Sequence, residues 1–397
     1  MRTALRPLPA LTGLRFLAAF HVVVFHYLER SGMPTWLANV ADSGSNSVTL
    51  FFILSGFILA YSYLGAESEV EVPRRSFWVA RFARVYPVYL LGLLLAAPIF
   101  VGKLFQQQGL TGQSLWTVTG IGAAVGGLSQ AWFPAAACQW NCPGWSLSVE
   151  AFFYLVFPFA ALPVLRMGAR RLLVALGVSA LVGVLLMGVW LFVLWWGTEH
   201  GSGFDRDAWK VVGAYNPLLR LPQFLCGVFL GRLFCLRQRD GRASASFDRA
   251  MVALGVGSSL VLLGLTWGRP ALYFKDMAML PGFMCLIWGL AGGADPLSRF
   301  LARPFMVKLG EASYALYLLH SPVNNWLQAA DTYLGLGWWS RGPAFFIGYS
   351  LLCVAASLAV FRYVEEPARR WLRDRLSARV KPALQAPLDM GTQATGR

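Results

Sequence analysis

Ten runs of mostly apolar residues recur along this chain of 397 residues. Each has roughly the 17 to 25 residues that a helix needs to cross a hydrocarbon core about 30 Å thick. They cover 8 to 28, 47 to 64, 85 to 101, 146 to 165, 172 to 196, 216 to 235, 250 to 267, 272 to 292, 305 to 327 and 343 to 363. Composition agrees, since 57% of the residues are hydrophobic and 13% are charged, about half the charge of a soluble globular protein. The expected fold is an all-α, polytopic transmembrane helical bundle of about ten spans.

Basic residues near span ends are retained in the cytoplasm, and this orients the bundle. With the N-terminus inside, the cytoplasmic segments hold 24 of the 34 Lys and Arg residues and the outer segments hold seven. The remaining three are Arg15, Arg220 and Lys308, within spans, while Arg232, Lys275 and Arg362 near span ends are counted with the adjoining segments. An eleventh crossing between Trp116 and Pro134 would reverse every later loop, so that small-residue stretch is expected to be re-entrant or interfacial. Both termini are then cytoplasmic. The net charge of +15 follows from this anchoring, with some attraction to anionic lipid, and implies no nucleic-acid partner.

The chain opens like a signal peptide, with a basic start and an apolar run. Yet no small-residue cleavage site closes that run, and its interior carries Arg15 and His26. It is expected to stay as the first span of a membrane domain covering residues 1–375. Beyond Trp371 the sequence is basic and polar, and residues 376–397 read as a disordered cytoplasmic tail. Any chemistry therefore falls to the membrane domain. The six cysteines show no metal-ligand spacing with histidine. Cys138 and Cys142 share an outer loop on the oxidising face, where a disulfide and two unpaired side chains are equally open.

Ionisable residues inside spans are costly and mark function by default. In LTGLRFLAAFHVVVFHYL, Arg15 and His26 are eleven residues apart, which is about three turns, one helical face and roughly 16 Å along the axis. A same-face pair in lipid needs a polar cavity, which favours a functional role for both. His21 points about 140° away from His26 and is expected to be a structural hydrogen bonder. Glu150, near the start of the WSLSVEAFFYLVFP run, is expected close in depth to His26, where a carboxylate can orient an imidazole acting as general base. The competing reading pairs Glu150 with Arg220. Glu311 has a local partner in Lys308, three residues earlier.

In LGEASYALYLLHSP, Ser313, Tyr317 and His320 share one helical face and could line a polar channel, with Tyr317 as a mere interfacial anchor the alternative. The basic segment PRRSFWVARFARVYP places Arg81 and Arg84 three residues apart. Two such guanidiniums can clamp phosphates bidentately; an interfacial helix facing lipid headgroups is the alternative. Ser55 and Gly56 in FFILSGF lie mid-span, where small residues allow close helix packing, and Ser55 is a candidate for the channel lining.

These stretches together resemble acyltransferase family 3, the integral-membrane O-acyltransferases that decorate bacterial surface polysaccharides and, in some members, macrolide antibiotics. The likeness runs from Leu11 to about Trp371. It is carried in order by Arg15 with His26, FFILSGF, Arg81 with Arg84, WSLSVE ending at Glu150, RLPQFLCGVFLGR, SYALYLLH and the closing EEP at Glu365 to Pro367. The resemblance implies a ten-helix fold in the bacterial cytoplasmic membrane. It implies acyl-CoA, acetyl-CoA by default, as co-substrate, with no tightly bound cofactor. It also implies functional roles for Arg15 and His26. Gln223 departs from a span-six pattern that often has Glu, and the hydrolase-like outer domain fused to some members is not in this sequence.

The expected activity is acyl transfer from acyl-CoA to a hydroxyl. The CoA nucleotide would dock on Arg81 and Arg84, and its pantetheine arm would thread roughly 15 Å inward, half the hydrocarbon thickness. His26 would remove the hydroxyl proton with Glu150 orienting it. A covalent acyl-His26 relay is the rival chemistry. The acceptor is a glycan or glycosylated molecule, with a macrolide or other secondary metabolite as the alternative. A transporter or flippase is the competing class, against which stands the lack of any internal repeat.

Overall fold

The structure, a computed structural model, describes residues 6–65, 74–267, 271–335, 337 and 342–378. Among these residues every regular element is a helix. The chain begins with α1 (Pro9–Tyr27), a short α2 (Thr35–Asp42), α3 (Asn46–Leu64), a long α4 (Arg74–Gln108) and α5 (Gly112–Gly126). Two 3₁₀ turns lead into α6 (Trp145–Leu165), followed by α7 (Ala169–His200), α8 (Arg206–Tyr215) and α9 (Pro217–Arg239). A hairpin of α10 (Ala245–Gly264) and α11 (Ala271–Gly292) comes next, then two short helices, α12 (Pro296–Leu301) and α13 (Pro304–Glu311). The chain closes with α14 (Ser313–Leu334), α15 (Pro343–Val360) and α16 (Glu366–Ala378).

Nine helices among the described residues are long and apolar enough to cross a membrane. They correspond to nine of the ten expected runs. The remaining run, 305 to 327, is divided between α13 and α14. With 22 residues, α14 reaches about 33 Å, so it is not short. It falls below the others in hydropathy because it carries polar residues, and it buries His320 and Asn324 inside the bundle.

Two further boundaries differ from expectation, and that of the stretch around Trp116, expected not to cross, agrees with it. The third crossing starts at Arg74, so Arg81 and Arg84 lie on the same continuous helix as the apolar run and not on a separate interfacial segment. The stretch around Trp116 forms the 15-residue α5, at about 22 Å too short to cross. Helical structure also continues past Trp371 to Ala378, so the first residues of the expected disordered tail are ordered; residues 379–397 lie outside the described residues.

The bundle is assembled around α9, which packs against α3, α6 and α7. An added Cβ at Gly227 would stand 2.0 Å from the Ile53 carbonyl oxygen, and one at Gly56 would stand 2.2 Å from that of Phe224. The α3 and α9 backbones are thus in contact, as small residues permit in lipid. Two arginines on α9 close neighbouring helix ends. Arg232 donates to the Leu64 carbonyl and, at 3.1 Å, to that of Leu165, satisfying terminal acceptors of α3 and α6 that would otherwise be orphaned in lipid. Arg220 donates at 2.7 Å to Ala214 O at the end of α8. Large apolar side chains such as Leu181, Leu185 and Phe192 on α7 are exposed, which suits a helix whose outer solvent is hydrocarbon. A disulfide joins Cys138 to Cys142 in the loop before α6.

Candidate active site

Two cavities occupy opposite halves of the bundle. The proximal one, about 100 Å³, lies toward the start of α1, and the distal one, about 410 Å³, toward its end. Arg15 lines the first and His26 the second, as their separation of three turns on one face of α1 requires.

The proximal cavity gathers Ser55 from α3, Arg81 and Arg84 from α4, Glu150 and Tyr154 from α6, and Ser313 and Tyr317 from α14. Glu150 Oε1 accepts from Ser55 Oγ at 3.1 Å and also from the Tyr154 hydroxyl, one turn further along α6. The Arg81 guanidinium lies between the rings of Phe77, Tyr63 and Tyr154, at 5.7, 5.9 and 6.0 Å. These are distances at which a π face attracts a cation. Arg15 and Arg84 make no hydrogen bond or ion pair among the described residues. Three guanidiniums therefore face a cavity lined by one carboxylate, an arrangement that attracts anions.

The distal cavity is larger and most of its charges are already matched. Arg220 Nη1 donates to Asp276 Oδ2 at 2.5 Å. Asp276 Oδ1 accepts from Asn46 Nδ2 at 2.7 Å and from Thr49 Oγ1 at 2.9 Å. Arg220 is therefore the partner of Asp276 and not of Glu150. Lys275 donates to Ser43 Oγ, and Asp42 pairs with Arg30 at 2.8 Å. Trp145 and Tyr215 pack together on another wall, ring centroids 4.7 Å apart.

His26 is exposed to this cavity. Its ring stacks on that of His320 with centroids 5.2 Å apart and planes inclined by 23°. His320 is fully buried. Neither of its nitrogens makes a well-formed hydrogen bond, and its nearest acceptors are the Leu316 and Tyr317 carbonyls of its own helix. His21 faces elsewhere: Nδ1 meets Ser47 Oγ at 2.9 Å and Nε2 meets Val40 O at 2.8 Å. It is the structural hydrogen bonder that its position on the helix predicts.

The expected pairing of Glu150 with His26 is not made. Glu150 stands five residues into α6, about 7 Å below its start, whereas His26 is the penultimate residue of α1. That depth assigns Glu150 to the arginine cavity and leaves His320 as the ring against His26. Lys308 and Glu311 are likewise unpaired with each other, both being exposed near the end of α13.

Val48, Phe52 and Tyr317 line both cavities and form the wall between them. Ser146 Oγ donates at 2.9 Å to the Tyr317 hydroxyl and fixes it there. Ser313 lies one turn away and donates at 2.7 Å to Gly310 O. The sequence reading passes over Tyr154, Lys275, Asp276 and Glu365 as site residues. Tyr154 is four residues after Glu150, on the same helical face. Lys275 and Asp276 are intramembrane charges at the start of a span, where they read as end-of-span anchors.

Comparison with known proteins identifies the family. A profile of the acyltransferase domain matches residues 8–362. The chain is 30% identical to Acyltransferase MdmB of Streptomyces mycarofaciens, over 96% of this chain and 95% of that protein. It is 22% identical to O-acetyltransferase OatA of Staphylococcus aureus (strain NCTC 8325 / PS 47), over 92% of this chain but 58% of the relative, so it spans little more than half of that protein. No solved structure matches the chain. With a matching profile over nearly its whole length and a full-length relative at this identity, the chain belongs to acyltransferase family 3.

Proposed function

We propose that this multi-pass membrane acyltransferase takes its acyl group from acyl-CoA, with acetyl-CoA as the default donor, and transfers it to a hydroxyl of a glycan or glycosylated acceptor. The observation that carries the reading is the division of labour between the cavities. Three guanidiniums face one of them, a histidine pair borders the other, and a wall three side chains wide separates the two. CoA is polyanionic at its nucleotide end and neutral along pantetheine, so phosphates belong with Arg81 and Arg84. The arm then points past Arg15 toward Tyr317.

The charge bias of the loops supports the proximal end as cytoplasmic, in a bacterial cytoplasmic membrane, with both termini inside. Donor and acceptor then enter from opposite sides. In the transfer, His26 accepts the hydroxyl proton as the oxygen attacks the thioester carbonyl. The C–O bond forms, the C–S bond breaks, and the proton passes to the departing CoA sulfur. Arg15, a neighbour of Glu150 and Arg84, stabilises negative charge developing on the carbonyl oxygen. Glu150, held by Ser55 and Tyr154, steadies Arg15. Arg220 with Asp276, together with Tyr317 and His320, shapes the acceptor side. The name of OatA supports oxygen as the accepting atom and acetyl as the group.

Replacing Arg81 and Arg84 together by Gln tests the donor site. Removing one charge-assisted hydrogen bond costs about 1.5 to 3 kcal/mol, so the apparent KM for acyl-CoA should rise at least about tenfold. The fall in kcat should be smaller, because binding common to ground and transition states is what disappears. A fall in kcat at saturating donor, with directly measured donor affinity unchanged, would place the donor elsewhere.

A further inference from the structure

Between α15 and α16 the chain makes a π-helical turn, Phe361–Glu365, that packs against α4. Such i to i+5 turns are rare and tend to mark functional positions. This one ends on Glu365, whose side chain is 4% exposed. Its Oε2 has no hydrogen-bond partner, and Glu365 makes no ion pair within 4 Å among the described residues. The charges that act on it most are those of Arg84, Arg15 and Arg369, with Glu311 opposing them. Glu365 does not line the proximal cavity, whereas Arg84 and Arg15, whose charges act on it, do. A buried carboxylate without a direct partner is expensive, and nothing in the transfer chemistry uses it.

We propose that Glu365 is a positioning residue for donor exchange: its charge, acting on Arg84 and Arg15, weakens their hold on the anionic nucleotide so that spent CoA leaves. This rests on the reading of the arginine cavity as the CoA site. Three guanidiniums facing a single carboxylate bind a polyanion tightly in its acylated and its free form alike, and binding that does not distinguish them slows release without helping chemistry. A fixed carboxylate outside the cavity lining lowers the affinity for both forms and keeps the arginines charged and oriented. Product release is a common limit on turnover, and here one side chain sets it.

The test is CoA binding to the purified full-length protein in detergent or nanodiscs, with S-acetylpantetheine, which carries no phosphate, as the neutral control. Glu365→Gln keeps the shape and removes the charge. It should tighten CoA binding about fivefold, as expected for one unit charge within a Debye length of several phosphates. CoA should become a correspondingly stronger product inhibitor, and S-acetylpantetheine affinity should stay unchanged. Glu365→Asp withdraws the charge by one methylene and should shift CoA in the same direction by about twofold; it serves alone if the Gln variant does not fold. Weaker CoA binding in both variants, or an equal change for S-acetylpantetheine, makes Glu365 a packing residue and overturns the proposal. Unchanged CoA binding in both does the same. The Arg81 and Arg84 double variant separates the two ideas: if it binds CoA as the wild type does, the donor site itself is wrong and the role of Glu365 falls with it.

Discussion

Individual residues divide into those whose depth the helix repeat fixes and those whose depth depends on where a helix starts. Arg15 and His26 share one helix, and eleven residues at a constant rise put them in different cavities before any packing is known. Glu150 and His26 lie on different helices, and a difference of one turn in the start of α6 moves Glu150 from one site to the other. Asp276 is illegible in the sequence for a related reason: a charge near a span end has a cheap explanation at the interface, and only the packed bundle brings it to Arg220. His26→Ala should abolish transfer while the protein inserts and melts as the wild type does, since the ring faces a cavity and removing it costs little packing. Wild-type turnover in that variant would take His26 out of the mechanism. Arg15→Lys should lose at least about tenfold in kcat, because an ammonium cannot reproduce the planar fork of a guanidinium. Full activity in a turnover assay would reduce Arg15 to a simple charge.

At the scale of helices, apolar length predicts nearly every element, because lipid leaves a buried backbone little choice but the helix. It fails where a helix is shielded from lipid. The first half of α14 is buried and carries His320 and Asn324, the helix is less apolar than the nine other crossings, and the α13–α14 break at Ala312 leaves no mark on a hydropathy reading. The α3–α9 contact, by contrast, is visible in FFILSGF and RLPQFLCGVFLGR as glycines at helical spacing. It also yields a stability prediction. Gly227→Leu has to push α9 away from Ile53 on α3. Overpacking of this kind costs about 1 to 3 kcal/mol, so the variant should unfold several degrees lower in a thermal-shift assay. Gly257→Leu, where an added Cβ meets nothing within 4 Å, should melt close to wild type. Equal melting of the two would show that the α3 and α9 backbones are not in contact.

For the whole molecule, what counts is which cavity opens to which side. In the proposed orientation the proximal end faces the cytoplasm, and Ser202 and Ser244, in turns before α8 and before α10, should report it. Single cysteines there, in a background lacking the free native ones, should label only from outside for Ser202 and only from inside for Ser244. The reverse pattern, or both from one side, would overturn the assigned topology. With that topology, the wall of Val48, Phe52 and Tyr317 is also electrical insulation. A wet cavity on either side thins the barrier to a few side chains, and a continuous file of water past Tyr317 would let protons run down their gradient at every turnover. On the proposed mechanism the acyl group has to slip through a gap that a hydrated ion cannot follow. A small residue at Phe52 would therefore be felt first as a leak in the cell's energy supply, before any loss of acylated product.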